Sequence, residues 1–197
     1  MPGRGGAFWT EPLMGVCVVG VLCTILVAVT SGVSIGPEAT QPQQIALALV
    51  WAEAAIAVVS TAYLLWGNAG VVHRSEQTCY PIPPEVEECL RRSKSLDNLK
   101  NIPGPQDSPL QGSYCVRCLL WRPRNEGKVH HCNVCQRCVT GFDHHCGVFG
   151  RCIVRANMPC FMANIGMMFA GMVTAMVAVM TSSAINPEKF EIESNGG

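Results

Sequence analysis

Between Cys115 and Cys152 the chain places seven of its 12 cysteines and four of its five histidines at short fixed spacings. The order is Cys115-x2-Cys118, twelve residues, His131-Cys132-x2-Cys135-x2-Cys138, four residues, Asp143-His144-His145-Cys146, five residues, Cys152. The segment has few aliphatic residues and little periodicity. It cannot build a sizeable apolar core from its own residues, so metal must supply much of its folding free energy. Zinc takes four nitrogen or sulfur ligands, commonly from Cys-x2-Cys knuckles. Two such knuckles stand here, Cys115/Cys118 and Cys132/Cys135. Each needs two more ligands, and the candidates are His131, Cys138, His145 and Cys152. A thioredoxin-like redox reading fails because no βαβ pattern surrounds either knuckle. Asp143, His144 and Cys146 are left over, bunched within four positions. Cys146 is then either a nucleophile or a ligand that leaves another cysteine spare.

The rest of the chain is dominated by three apolar runs. Leu13 to Ile35 is 23 residues without a charge, Ile45 to Trp66 is 22 with only Glu53, and Phe161 to Ile185 is 25 without a charge. A bilayer core needs about 20 helical residues. Buried helices of a soluble protein would show a polar face, which these lack. The first run is longer than a signal-peptide core and has no convincing cleavage site, so a retained anchor helix is expected. Glu53 is costly in lipid unless it faces another helix. The methionines of the third run are expected to pack or face lipid.

Formal net charge is zero, which argues against nucleic acid as a partner. Twelve of the 14 Lys and Arg lie between Gly67 and Asn157, so that region is expected in the cytosol. Residues 1–12 are then cytosolic and the 36–44 turn and the 186–197 tail lumenal. A reducing cytosol also suits unpaired cysteines. Residues 67–114 read as a cytosolic linker, Pro-rich between 77 and 113, with a short helix from Pro84 whose first turn is acidic. Cys79 and Cys89 fall outside any ligand spacing, and His130 reads as a surface histidine.

The run from Cys115 through Arg122-Pro123 and His131 to Asp143-His144-His145-Cys146 and Cys152 resembles the cysteine-rich domain of the DHHC protein S-acyltransferases, the palmitoyltransferases. The resemblance implies an α-helical polytopic membrane protein. Transmembrane helices at 13–35, 45–66 and 161–185 would accompany a zinc-stabilised cytosolic domain at 115–160, between the second and third. It implies one zinc on Cys115, Cys118, His131 and Cys138, and a second on Cys132, Cys135, His145 and Cys152. Cys146 would be the nucleophile, His144 its base and Asp143 the group orienting His144. The implied reaction moves palmitate from palmitoyl-CoA to a cysteine of a membrane-associated protein, at the endoplasmic reticulum or Golgi. An imidazole beside a thiol, held by a carboxylate on its far nitrogen, is chemically suited to thioester exchange. Asn157 matches a family position of structural character.

The chain departs from the family pattern in places. After Cys146 the family usually shows Pro-Trp-Val and then an Asn before the last ligand, where this chain has Gly147, Val148, Phe149 and Arg151. A glycine usual after the last ligand is Val154, and Asn125 to Lys128 reads as an insertion between ligands. Family members generally carry a fourth transmembrane helix and a Thr-Thr-x-Glu motif, which these 197 residues do not contain, so an acyl-chain cavity open on one side is expected. The altered loop and the missing helix would suit a non-catalytic zinc-dependent membrane adaptor of the same fold. The intact Asp143-His144-His145-Cys146 speaks for the enzyme.

Overall fold

A computed structural model describes residues 7–36 and 39–182, with side chains from residue 12 onward. The chain divides into two compact units, one made of the long helices and one spanning Gly67–Met158.

The helical unit contains α1 (Ala7–Ser34), α2 (Gln41–Trp66) and α5 (Met158–Met180). Among the described residues these three are long and apolar enough to cross a membrane. Their limits differ from the apolar runs for local reasons. At the start of α2, Gln43 reaches back so that its Oε1 accepts from the Thr40 amide at 2.8 Å. That contact is half of a capping box, and it lengthens α2 by a turn of polar residues that hydropathy alone discards. Pro159 sits in the first turn of α5, where a missing amide costs nothing. Residues 183–185 of the third run, and the tail, lie outside the described residues.

Small and polar side chains mark the buried stripe of this unit. On α2 it runs through Gln43, Ala46, Val50, Ala57, Ser60, Thr61 and Leu64, and on α5 through Asn164, Gly171, Ala175 and Ala178. These are helical spacings of three, four and seven, and small residues let backbones approach where lipid removes the hydrophobic drive. Polar groups then join the helices. Asn164 Nδ2 donates to the Ala57 carbonyl at 3.1 Å and to Thr61 Oγ1 at 2.6 Å. Glu53 faces inward, its Oε1 accepting from Thr174 Oγ1 at 3.0 Å, while its Oε2 is buried without a partner. Leu, Val, Ile and Met residues from Leu13 to Met180 point outward from all three helices, as lipid-facing positions do.

The second unit holds α3 (Glu76–Cys79), α4 (Pro84–Arg91) and seven short strands: β1 (Ile102–Pro103), β2 (Ser113–Cys115), β3 (Leu120–Arg122), β4 (His130–Cys132), β5 (Arg137–Val139), β6 (Phe142–Cys146) and β7 (Arg151–Val154). They form one three-stranded sheet, β1-β2-β3, and two hairpins, β4-β5 and β6-β7, all antiparallel. The helix expected from Pro84 is present. The stretch that composition marks as a linker is folded, however. Val86 of α4 is fully buried with Tyr114, Val116 and Trp121, and Ile82, Leu96, Leu99 and Ile102 pack against them. Trp121 Nε1 donates to the Pro81 carbonyl at 2.7 Å. Burial pushes the Tyr114 phenol up to about 12. The Pro-rich stretch thus adds apolar residues to a core it shares with Tyr114, Val116 and Trp121.

Residues 70–72 add a further edge to β5. Val72 donates to the Cys138 carbonyl at 2.9 Å, and Thr140 donates to the Gly70 carbonyl at 2.8 Å. Gly70 has φ +62°, and a Cβ there would stand 2.9 Å from Thr140 Oγ1 and 3.0 Å from its carbonyl oxygen. Both the backbone and the space exclude a side chain. Gly70→Ala is expected to destabilise this unit by about 1–3 kcal/mol. The thermal unfolding midpoint of the zinc-loaded protein checks it, and an unchanged midpoint would count against this account of the strand edge.

Candidate metal centres and thiol site

The two knuckles share one backbone form. Each bends at the residue after its second cysteine, Leu119 at φ +54° and Gln136 at φ +52°, a left-handed conformation uncommon for residues other than glycine. In the first, the Leu119 amide closes the turn on the Cys115 carbonyl at 2.8 Å. In the second, the Cys135 amide donates to Cys132 Sγ at 3.3 Å.

Strand register supplies the other ligands. His131 lies directly across from Cys138 in β4-β5, and His145 directly across from Cys152 in β6-β7. Opposed residues of an antiparallel pair share a face, whereas neighbours along a strand alternate. His131 and Cys132 are adjacent, so they point apart and enter different clusters. The result is two quartets, Cys115, Cys118, His131 and Cys138, and Cys132, Cys135, His145 and Cys152, each with its ligand atoms within 4.8 Å of one another.

The geometry suits zinc. With Zn–S near 2.3 Å and Zn–N near 2.0–2.1 Å, a tetrahedral site has S···S edges of about 3.8 Å and S···N edges of about 3.6 Å. In the first quartet His131 Nδ1 stands 3.7, 3.1 and 4.0 Å from the sulfurs of Cys115, Cys118 and Cys138, and Cys118 and Cys138 are 3.7 Å apart. In the second, His145 Nδ1 is 3.6 Å from Cys132 Sγ and 3.4 Å from Cys135 Sγ, and Cys135 and Cys152 are 3.5 Å apart. Those sulfur separations are far beyond a disulfide bond, and all 12 cysteines are free thiols. Each quartet could hold one zinc ion.

The thiols act strongly on one another. Hydrogen bonds from Cys118 and Cys138 hold the Cys115 thiol far below its ordinary range, while Cys115 pushes Cys118 up to about 11. In the second quartet a hydrogen bond from Cys152 draws Cys135 down to about 5, and Cys152 itself is pushed up by Cys135. A shared dication draws every thiol in such a set to thiolate. Burial also lowers the His131 imidazole, favouring the neutral form that coordinates metal. Near the second quartet, Asn157 Nδ2 donates to the Cys152 carbonyl at 3.1 Å and its Oδ1 accepts from the Val154 amide at 2.7 Å. Both ends of Asn157 thereby fix the strand end that carries Cys152.

β6 also sorts the remaining triad candidates. His145 is turned toward the quartet, so His144 and Cys146 lie on the opposite face of the strand. A register shift between Phe142 and His144 leaves Asp143 as the extra residue of a bulge. The bulge breaks the alternation, and Asp143 Oδ2 comes within 2.8 Å of His144 Nδ1. Asp143 is exposed, and His144 and Cys146 are half-buried. Cys146 belongs to neither quartet. Elsewhere, His130 is exposed yet stacks on Phe142 at 4.4 Å between centroids, with Lys128 Nζ 5.8 Å from the same ring. Cys79 packs against Cys115, Leu120 and Cys138 beside the first quartet, a contact that no ligand spacing signals.

A pair of interleaved Cys/His quartets in a small-strand domain, with Asp143, His144 and Cys146 on one of its strands and membrane-length helices on the same chain, defines a membrane protein with a zinc-type cysteine-rich domain. Residues 109–195 match the family described as DHHC palmitoyltransferase, and the chain carries a DHHC-type domain there. No curated protein matches the chain.

Proposed function

We propose that this protein is a protein S-acyltransferase that carries palmitate from palmitoyl-CoA to cysteines of membrane-associated proteins through a thioester on Cys146. The observation that carries the proposal is the Asp143–His144 contact of 2.8 Å on the strand that presents Cys146, with the intervening His145 turned to a metal quartet. His144 Nε2 takes the thiol proton as Cys146 Sγ forms its bond to the acyl carbon. The bond from that carbon to the coenzyme A sulfur breaks, and the departing thiolate receives the proton. The acceptor cysteine repeats the exchange and frees Cys146. Asp143 fixes the tautomer and orientation of His144. Zinc, when bound at Cys115, Cys118, His131 and Cys138 and at Cys132, Cys135, His145 and Cys152, holds the fold that presents this edge. Twelve of 14 basic residues within 67–157 support a cytosolic orientation of the domain, where acyl-CoA is supplied. An endoplasmic reticulum or Golgi location follows from family likeness alone.

The test is acyl-enzyme formation by detergent-purified protein with labelled palmitoyl-CoA. Wild type is expected to take up a hydroxylamine-sensitive label that Cys146→Ser lacks altogether. A label that persists in Cys146→Ser would move the nucleophile elsewhere. No label on wild-type protein holding two zinc ions would favour the adaptor.

A further inference from the structure

Where α4 ends the chain reads Leu90-Arg91-Arg92-Ser93-Lys94-Ser95-Leu96, and Arg91 through Ser95 are all exposed. The helix finishes in a closed cap. The Ser93 amide donates to the Leu90 carbonyl at 3.1 Å and the Lys94 amide to the Cys89 carbonyl at 2.9 Å, with Ser93 left-handed at φ +52°. Ser93 is thereby fixed in the helix terminus. Ser95 lies beyond that cap, and among the described residues no backbone hydrogen bond holds it. Its hydroxyl donates to Asp97 Oδ2 at 2.7 Å, a contact between exposed groups. Arg91 and Arg92 share one carboxylate, Glu88, and their side chains remain 74% and 61% exposed. Surface ion pairs of that kind are weak and give way to a stronger partner. None of these residues belongs to a quartet.

We infer that Ser95 is a phosphorylation site for an arginine-directed serine kinase. Such kinases bind a short exposed segment and read the pattern of basic side chains before the hydroxyl. Arg92 stands three residues before Ser95 and Arg91 four. Ser93 follows the arginines directly and is held by the cap, so register and backbone both select Ser95. In the transfer the Ser95 oxygen bonds to the γ-phosphorus of ATP, and the bond from that phosphorus to the β,γ-bridging oxygen breaks. ADP departs, and the hydroxyl proton passes to the carboxylate base of the kinase. The new group brings about 1.5–2 negative charges at pH 7 into a stretch holding Arg91, Arg92 and Lys94, and its seryl oxygen can no longer donate to Asp97. Acyl transfer by Cys146 is not required for any of these steps.

The experiment treats full-length, zinc-loaded protein in detergent with labelled ATP and an activated calmodulin-dependent protein kinase, which selects arginine three residues before serine. Wild type is compared with Ser95→Ala, Ser93→Ala, Arg91→Gln and Arg92→Gln. Initial rates are measured, the phosphate is mapped by peptide mass, and zinc content reports folding. Wild type is expected to carry a single phosphate, on Ser95. Ser95→Ala should remove it, and Ser93→Ala should keep the wild-type rate. Arg92→Gln should slow the transfer by about 10–100-fold, as loss of one charge-assisted contact does. Arg91→Gln removes the same charge one position away and should cost much less. A phosphate mapped to Ser93 overturns the inference, as does a zinc-loaded wild type that takes up none. Equal slowing in Arg91→Gln and Arg92→Gln overturns it too, since charge density rather than register would then direct the kinase. Uptake that begins only after zinc is stripped also overturns it, because the folded loop would not be what presents the serine.

Discussion

Removal of zinc is expected to unfold the Gly67–Met158 unit and to abolish acyl-enzyme formation. Structural zinc contributes an apparent 10–16 kcal/mol in small domains, roughly the whole stability of an ordinary fold. Here the strands are two to five residues long, and none could persist on backbone pairing alone. The apolar cluster of Val86, Tyr114, Val116 and Trp121 depends on β2 and β3, which the first knuckle closes. Chelation should therefore turn residues 67–158 from protease-resistant to protease-sensitive, while the far-ultraviolet helical signal from α1, α2 and α5 persists. Single substitutions should separate the quartets. His145→Ala strikes the hairpin that carries Cys146 and should end acylation. His131→Ala should release one zinc and loosen β4-β5 first. Lower pH acts in the same direction as chelation, because protons compete with zinc for the thiolates. Zinc-free protein that stays protease-resistant and acylates Cys146 would refute the assignment of both quartets.

His144→Ala is expected to slow formation of the Cys146 thioester by about 10²–10⁴-fold, the usual contribution of a positioned general base. Asp143→Asn should fall in the same direction with a smaller loss, since it removes the charge that steadies His144 while leaving a polar group 2.8 Å away in the same place. Neither residue contributes to a quartet, so both variants should retain two zinc ions per chain. Acylation rates read alongside zinc content check this. A His144→Ala protein that loses zinc would mean that the imidazole is structural. One that keeps zinc and acylates at full rate would mean that Cys146 finds its base elsewhere.

The residues of the two quartets were legible because spacing and chemistry agree: two knuckles call for four further ligands, and four suitable residues follow. How they divide was not legible from spacing alone. That depends on the pleat, which sends His131 and Cys132 to opposite faces although they are neighbours in sequence. The bulge at Asp143 was equally hidden, since no residue type announces an extra position in a five-residue strand. The three apolar runs declared themselves, but their ends did not. Thr40 and Gln43 start α2 through side-chain bonding that hydropathy cannot register. The folded state of the stretch before Cys115 escaped for a different reason. Ile82, Val86, Leu96 and Leu99 are single apolar residues among prolines and charges, and their period becomes visible only against Trp121 and Tyr114. Glu53 was expected to need a partner inside the helices, and Thr174 is that partner.

The overlap of the two quartets bears on how this segment can be inherited and cut. The first quartet spans 115 to 138 and the second 132 to 152, so a break anywhere from Cys115 to Cys152 severs at least one of them. A break between Cys132 and Cys138 severs both. Neither quartet can therefore be cut out as a continuous segment without removing ligand residues of the other. Length variation is free only in the loops between ligands, such as the exposed turn from Asn125 to Lys128, where residues can be gained without disturbing either set.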